Sequence, residues 1–194
     1  MGEFKLNINN LRQDLSIKGK NGIAFLLSAT IIWTIFTIIF SLPNNIETKN
    51  IFMLITTGIM FPLALLFSKL IKADWKIDQN PLSNLGLVIN LAQFIYFPIA
   101  FWAFVKHPSE MVMFFAVITA AHLFPYGWFY NAKAYYVMAP IAAILVAIIG
   151  STVESLWIIP LMMIGALLIL NLLLFVDYRK KSKTTDEVVM KAQG

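Results

Sequence analysis

Cysteine is absent from this chain of 194 residues. That excludes disulfides, thiolate nucleophiles and cysteine-ligated metals, and it leaves the redox compartment unmarked. Charge is scarce as well. Asp, Glu, Lys and Arg make up 13% of the residues, roughly half the share found in a soluble domain. Histidine occurs twice, and His107 with Glu110 puts two ligands in one short turn, too few for a metal site. There is no pair of carboxylates inside an apolar run, no glycine-rich phosphate loop and no Ser–His–acid arrangement. No catalytic residue, metal or cofactor is therefore assigned, and the enzymatic reading leans negative. A channel also lacks support, because no filter-like loop or charged pore ring is present.

What the chain has in abundance is apolar surface: 59% of its residues are hydrophobic and the mean hydropathy is +0.76. So few charges cannot cover that much apolar area in water, so the implied solvent is a lipid bilayer. The net charge of +5 would suggest nucleic acid if it formed one patch. The charges lie instead between hydrophobic runs, which is a mark of membrane topology and excludes a nucleic-acid partner. The first twenty residues are mostly polar and no cleavage site follows, so a secretory signal is not read here.

Six runs are long enough to cross a bilayer: 22–42, 51–71, 85–105, 111–130, 134–150 and 156–176. About 20 apolar residues span a ~30 Å hydrocarbon core. With the N-terminus placed inside, Lys5, Arg12, Lys18, Lys20, Lys69, Lys72, Lys76, Lys133, Arg179, Lys180, Lys181, Lys183 and Lys191 are cytoplasmic. Only Lys49 and Lys106 fall outside, thirteen against two, a clear positive-inside bias. The expected fold is an all-α polytopic membrane helical bundle of six transmembrane helices with both termini cytoplasmic. A basic leader (1–21) precedes the membrane domain (22–178), and a basic, disordered tail (179–194) follows.

Ile8, Leu11 and Leu15 recur at helical spacing in the leader, with Asn9 or Asn10 as cap. This fits an interfacial amphipathic helix; a solvated leader that only sets orientation fits equally. Pro62, Pro98, Pro125, Pro140 and Pro160 predict kinks in five of the six helices. Asn80-Pro81 reads as a helix cap and first position, and Ser109 as a second N-cap. Thr30, Thr34 and Thr37 form a stripe that bonding to carbonyls four residues back would explain. Ala139, Ala143 and Ala147 allow close helix approach, within the bundle or across a homo-oligomer.

The densest polar stretch in an apolar setting is 121–136. Its His122 is an ionisable group at membrane depth and hence a candidate functional residue. His122 and Gln93 both lie about 13 Å from the cytoplasmic ends of adjacent helices, with Asn90 about 9 Å in. Tyr126 shares the face of His122, Thr119 extends that face, and Asn171 lies in the same half of the membrane. His122, Gln93, Asn90, Tyr126, Thr119 and Asn171 are thus the expected lining of a small polar cavity facing the cytoplasm. The competing reading is that these groups satisfy one another across helix contacts. The tyrosines and Trp128 are credited mainly to the membrane interface.

The run from His122 to Tyr136, His-Leu-Phe-Pro-Tyr-Gly-Trp-Phe-Tyr-Asn-Ala-Lys-Ala-Tyr-Tyr, resembles a family of multi-pass membrane proteins of low-GC Gram-positive bacteria. The leader Asn9-Asn-Leu-Arg-Gln-Asp-Leu15, entering the first span through Lys20-Asn-Gly22, resembles it too. The resemblance implies a bacterial cell membrane and transfers no activity. Two function classes stand level: a small-molecule carrier or binding protein, and a regulatory or interaction subunit of a membrane complex. An intramembrane lipid-modifying enzyme ranks below both.

Overall fold

Why these residues form helices is plain from the solvent they imply: in lipid every backbone N–H and C=O must be bonded within the segment. The computed structural model describes residues 7–193; it is 82% helical, with no strand among the described residues. In chain order the α-helices are α1 (Ile8–Lys18), α2 (Ile23–Ser41), α3 (Ile46–Thr57), α4 (Met60–Ile71) and α5 (Ser83–Ala92). After these come α6 (Phe97–Lys106), α7 (Met111–His122), α8 (Tyr126–Phe129), α9 (Lys133–Gly150) and α10 (Ile158–Gln193). Short 3₁₀ segments fill Lys20–Gly22, Gln93–Tyr96 and Pro108–Glu110. Five stretches are long and apolar enough to cross a membrane, and six if the pair α3 and α4, bent by 44°, is counted as one span.

The prolines mark breaks more often than kinks. Pro62 is the third residue of α4, and its ring opposes the carbonyl four residues back, at Gly58, where α3 has just ended. Pro98 opens α6 after a 3₁₀ stretch, and Pro125 is the N-cap of α8. Pro160 lies in the first turn of α10. Of the five, Pro140 alone sits inside a continuous helix.

Capping also departs from expectation. Asn7, not Asn9 or Asn10, caps α1 by accepting from the Asn9 amide. Ser109 lies within a 3₁₀ turn and Glu110 precedes α7 without a side-chain cap. Asn80 closes a turn by accepting from Leu82 N, two residues ahead of α5. Its amide is committed elsewhere, to Leu11 O and Asp14 of the leader. The threonine stripe behaves as its chemistry dictates: Thr30, Thr34 and Thr37 bond Leu26, Thr30 and Trp33 carbonyls.

The bundle is built by α10 against α2 and α9, α7 against α9, and α2 against α4. Trp33, Phe36 and Phe115 meet at its centre with ring centroids 5.1 to 6.1 Å apart. Ala139 and Ala142 are buried on the bundle side of α9, while Ala143 and Ala147 are half-buried. Val137, Ile141, Ile144, Leu145 and Ile148 face outward from the same helix, as an apolar surface wetted by lipid should. Where a disordered tail was expected from 179 onward, the backbone stays helical through Gln193. No proline or glycine interrupts residues 179–193, and Lys, Thr, Glu, Met, Ala and Gln permit the helix to continue.

Candidate functional site

The leader is not laid loosely beside the bundle. It is bolted across one end of the bundle, and the bolts are the two stretches singled out in the sequence. Arg12 donates through Nε to Trp128 O and through Nη2 to Asn131 Oδ1 at 3.1 Å, while its guanidinium lies 4.9 Å from the Trp128 ring. Asp14 pairs with Lys18 at 2.6 Å and accepts from Asn80 at 2.9 Å. Leu15 and Ser16 are buried against the end of the bundle.

The chain then turns sharply from α1 into α2. Lys20, Asn21 and Gly22 have φ of 46°, 54° and 77°, three left-handed residues in a row. For an L-residue that conformation costs roughly 1–2 kcal/mol, with asparagine and glycine the most tolerant. Lys20 is neither, and its Nζ is held by Ile71 O. Gly22 admits no side chain: a Cβ there would meet Tyr130 Cε2 at 2.8 Å.

Asn21, fully buried, is the hub of this elbow. Its Oδ1 accepts from Ser16 Oγ. Its Nδ2 donates to Leu174 O at 3.0 Å and to Asp177 Oδ2 at 2.9 Å. Its backbone carbonyl accepts the Tyr135 hydroxyl at 2.8 Å. Beside it, Lys181 Nζ bonds Asp177 at 2.6 Å, Ser16 Oγ at 3.0 Å, Asn131 O at 2.9 Å and Tyr130 O at 3.2 Å. One ammonium thus ties α10 to α1 and to the turn between α8 and α9. Asn21 carried no weight in the sequence reading, yet Asn-Gly is the dipeptide that best accepts consecutive positive φ. That signal was available at 21–22.

From this hub a column of rings leads into the membrane. Tyr130 and Tyr135 stack at 6.3 Å, Tyr126 lies 6.0 and 5.8 Å from them, and His122 meets Tyr126 edge-on at 5.5 Å. The assignment of these tyrosines to the interface needs correction: Tyr126 and Tyr135 are buried and pack inside the protein. Trp128, by contrast, is exposed beneath Arg12.

His122 ends α7, at the break before α8. Its Nδ1 lies 3.2 Å from Thr119 O, which makes Nδ1 the protonated nitrogen of the neutral ring. Nε2 is then an acceptor, and it is buried without a hydrogen-bond partner. Gln93 does not supply one. It sits half-buried in the 3₁₀ segment packed against α7, but no hydrogen bond joins the two residues. Thr119, Asn90 and Asn171 each bond a carbonyl four residues back, on Phe115, Gly86 and Leu167. Asn171 Oδ1 is a second buried acceptor without a donor.

The two best-formed depressions lie elsewhere. One, about 450 Å³, is lined by Leu65, Lys69, Lys72 and Trp75 among others. The other, about 230 Å³, lies along α10 at Phe175–Lys183. His122 lines neither. Among the described residues no three His, Asp or Glu groups converge as a metal site would require.

Helices of membrane-crossing length, outward apolar faces and a buried polar lock at one end define a polytopic helical membrane protein. The profile of a family of unknown function (DUF7010) matches residues 8–177, and the chain belongs to that family. No curated protein and no solved structure matches it. The family match opens at the first residue of α1 and closes at Asp177, so α1, the elbow and the ring column lie within the matched residues, and Lys181 lies beyond them.

Proposed function

We infer that this is a six-span protein of the bacterial cell membrane, with both termini in the cytoplasm, that binds a small polar molecule at His122. The observation that carries this reading is the buried His122 Nε2 with no donor. An unmet buried acceptor costs about 1–3 kcal/mol, which a ligand N–H or O–H relieves. Tyr126 stands next to it, ring centroids 5.5 Å apart, as a further polar contact, and the leader helix covers the cytoplasmic approach. The ligand class is therefore a small molecule with a hydrogen-bond donor, held by the neutral imidazole, and carrier or binding protein is the matching role. Native mass spectrometry of protein extracted from its own membrane tests this. A retained small-molecule adduct is expected, reduced at least about tenfold by His122→Ala, since loss of a hydrogen bond with burial is worth ~1.5 kcal/mol or more. An adduct untouched in a folded His122→Ala protein overturns the reading.

The orientation rests on the basic-residue bias and is tested directly, because the chain contains no native cysteine. Ser109→Cys is expected to react with an impermeant maleimide on intact cells, and Gln79→Cys only after permeabilisation. The reverse pattern excludes cytoplasmic termini. A second reading, an interaction subunit of a membrane complex, is favoured by α10, which at 36 residues and 1.5 Å each is about 54 Å long and outruns the bilayer core. Crosslinking from Thr184→Cys should then trap one consistent partner.

A further inference from the structure

The lower turns of α10 sort their cations by face. Lys181, turned inward, is matched by Asp177 at 2.6 Å. Arg179, Lys180 and Lys183 fall on the opposite face, and among the described residues none has a carboxylate within salt-bridge distance, the ion pairs being those of Lys18, Lys76, His107 and Lys181. These three line a depression of about 230 Å³ together with Phe175 and Val176. Phe175 and Val176 are exposed apolar residues one turn higher on the same helix. Residues 175/176, 179/180 and 183 follow the i, i+4 and i+7 positions of one helix stripe. The stripe passes from hydrocarbon-facing to cationic in under two turns, and Arg179 is held at the join by its contact with the Phe175 ring, 5.7 Å away.

We propose that this stripe is a binding site for an anionic phospholipid of the cytoplasmic leaflet. Its acyl chain lies along Phe175 and Val176, and its phosphate is taken by Arg179, Lys180 and Lys183. The guanidinium gives a planar donor fork to the phosphate oxygens, and the two ammoniums add point charges. Glu187 stands one turn beyond Lys183 but does not line the depression, so a zwitterionic headgroup would set its own cation among three others and the site selects net negative lipid. A soluble phosphate compound would leave the apolar half of the depression without a partner. The site is separate from His122, and its success or failure leaves that reading untouched.

The test is native mass spectrometry of the full chain in detergent micelles, titrated with phosphatidylglycerol or with phosphatidylcholine of the same acyl chains. Retention of phosphatidylglycerol at least about tenfold above phosphatidylcholine is expected, at ~1 kcal/mol per basic residue near the surface. R179Q/K180Q/K183Q should abolish that preference, R179K/K183R should keep it, and K69Q/K72Q/K76Q should leave it unchanged. Equal retention of the two lipids overturns the site, as does a preference that survives the first triple substitution or vanishes equally with the second. Displacement of phosphatidylglycerol by millimolar inorganic phosphate would reassign the site to a free anion and overturn the lipid proposal.

Discussion

Asn21→Ala is expected to lower the apparent melting temperature in detergent by roughly 6–12 °C, the consequence of losing about 3 kcal/mol in a chain of this length. The side chain accepts from Ser16 and donates to Leu174 O and Asp177, and net losses for such bonds run at about 1 kcal/mol each, more where a charge is involved. Alanine at φ 54° adds left-handed strain that asparagine tolerates. Asn21→Gly separates the two contributions: it removes the strain but not the lost bonds, so it should fall between wild type and alanine. The loss should also free the leader, so limited proteolysis within residues 8–20 is expected to accelerate. A melting temperature within 2 °C of wild type, with unchanged proteolysis, would show that the elbow is held by something other than Asn21.

Lys181→Met is the second large effect. The ammonium is mostly buried and has four partners on three segments. Removing it leaves Asp177 half-covered with only the Asn21 amide for company, at a cost of about 3 kcal/mol. Asp177→Asn in the same chain should restore about 1–2 kcal/mol, because the uncompensated charge is gone; that non-additivity is the mark of residues sharing one network. Lys183→Met, two positions further on and facing outward, should stay within ~0.5 kcal/mol of wild type. Equal losses at 181 and 183 would remove the distinction between the two faces of α10. Thermal melts of the four proteins in one detergent decide it.

How much of this was legible in the amino-acid order differs from element to element. The spans were, because they need only composition over about twenty residues, and lipid enforces helix on all of them. The break in the second span was half-visible: Gly58 and Pro62 stand four apart, so proline's clash falls where a residue without Cβ lets the backbone turn. The docking of α1 was not visible. Its hydrophobic spacing described a helix without saying what would cover it, and the answer lies in carbonyls more than a hundred residues away. Tyr126, Tyr130 and Tyr135 were misread for a related reason. Frequency at membrane interfaces speaks for tyrosines in general, whereas only the fold shows that these three rings converge on one another. His122 stood out by its setting, but matching depth did not make Gln93 its partner, since depth along two axes leaves rotation about each axis free.

The long reach of the lock has a consequence for how the protein is made. Residues 16 and 21 emerge from the ribosome near the start, yet their partners sit 165 and 153 positions later. Until α10 is inserted, Asn21 and Ser16 have neither Leu174 nor Lys181 to meet, and the strained elbow is held only by the Tyr135 hydroxyl and by Lys20 on the Ile71 carbonyl. Closure of the first helix over the bundle is therefore an event that reports completion of the last, a step delayed by its sequence separation. A chain cut short before residue 174 would keep the Arg12 and Asn80 contacts of its leader but lose those of Ser16 and Asn21 to α10, presenting a loosened lock to whatever in the cell inspects unfinished membrane proteins.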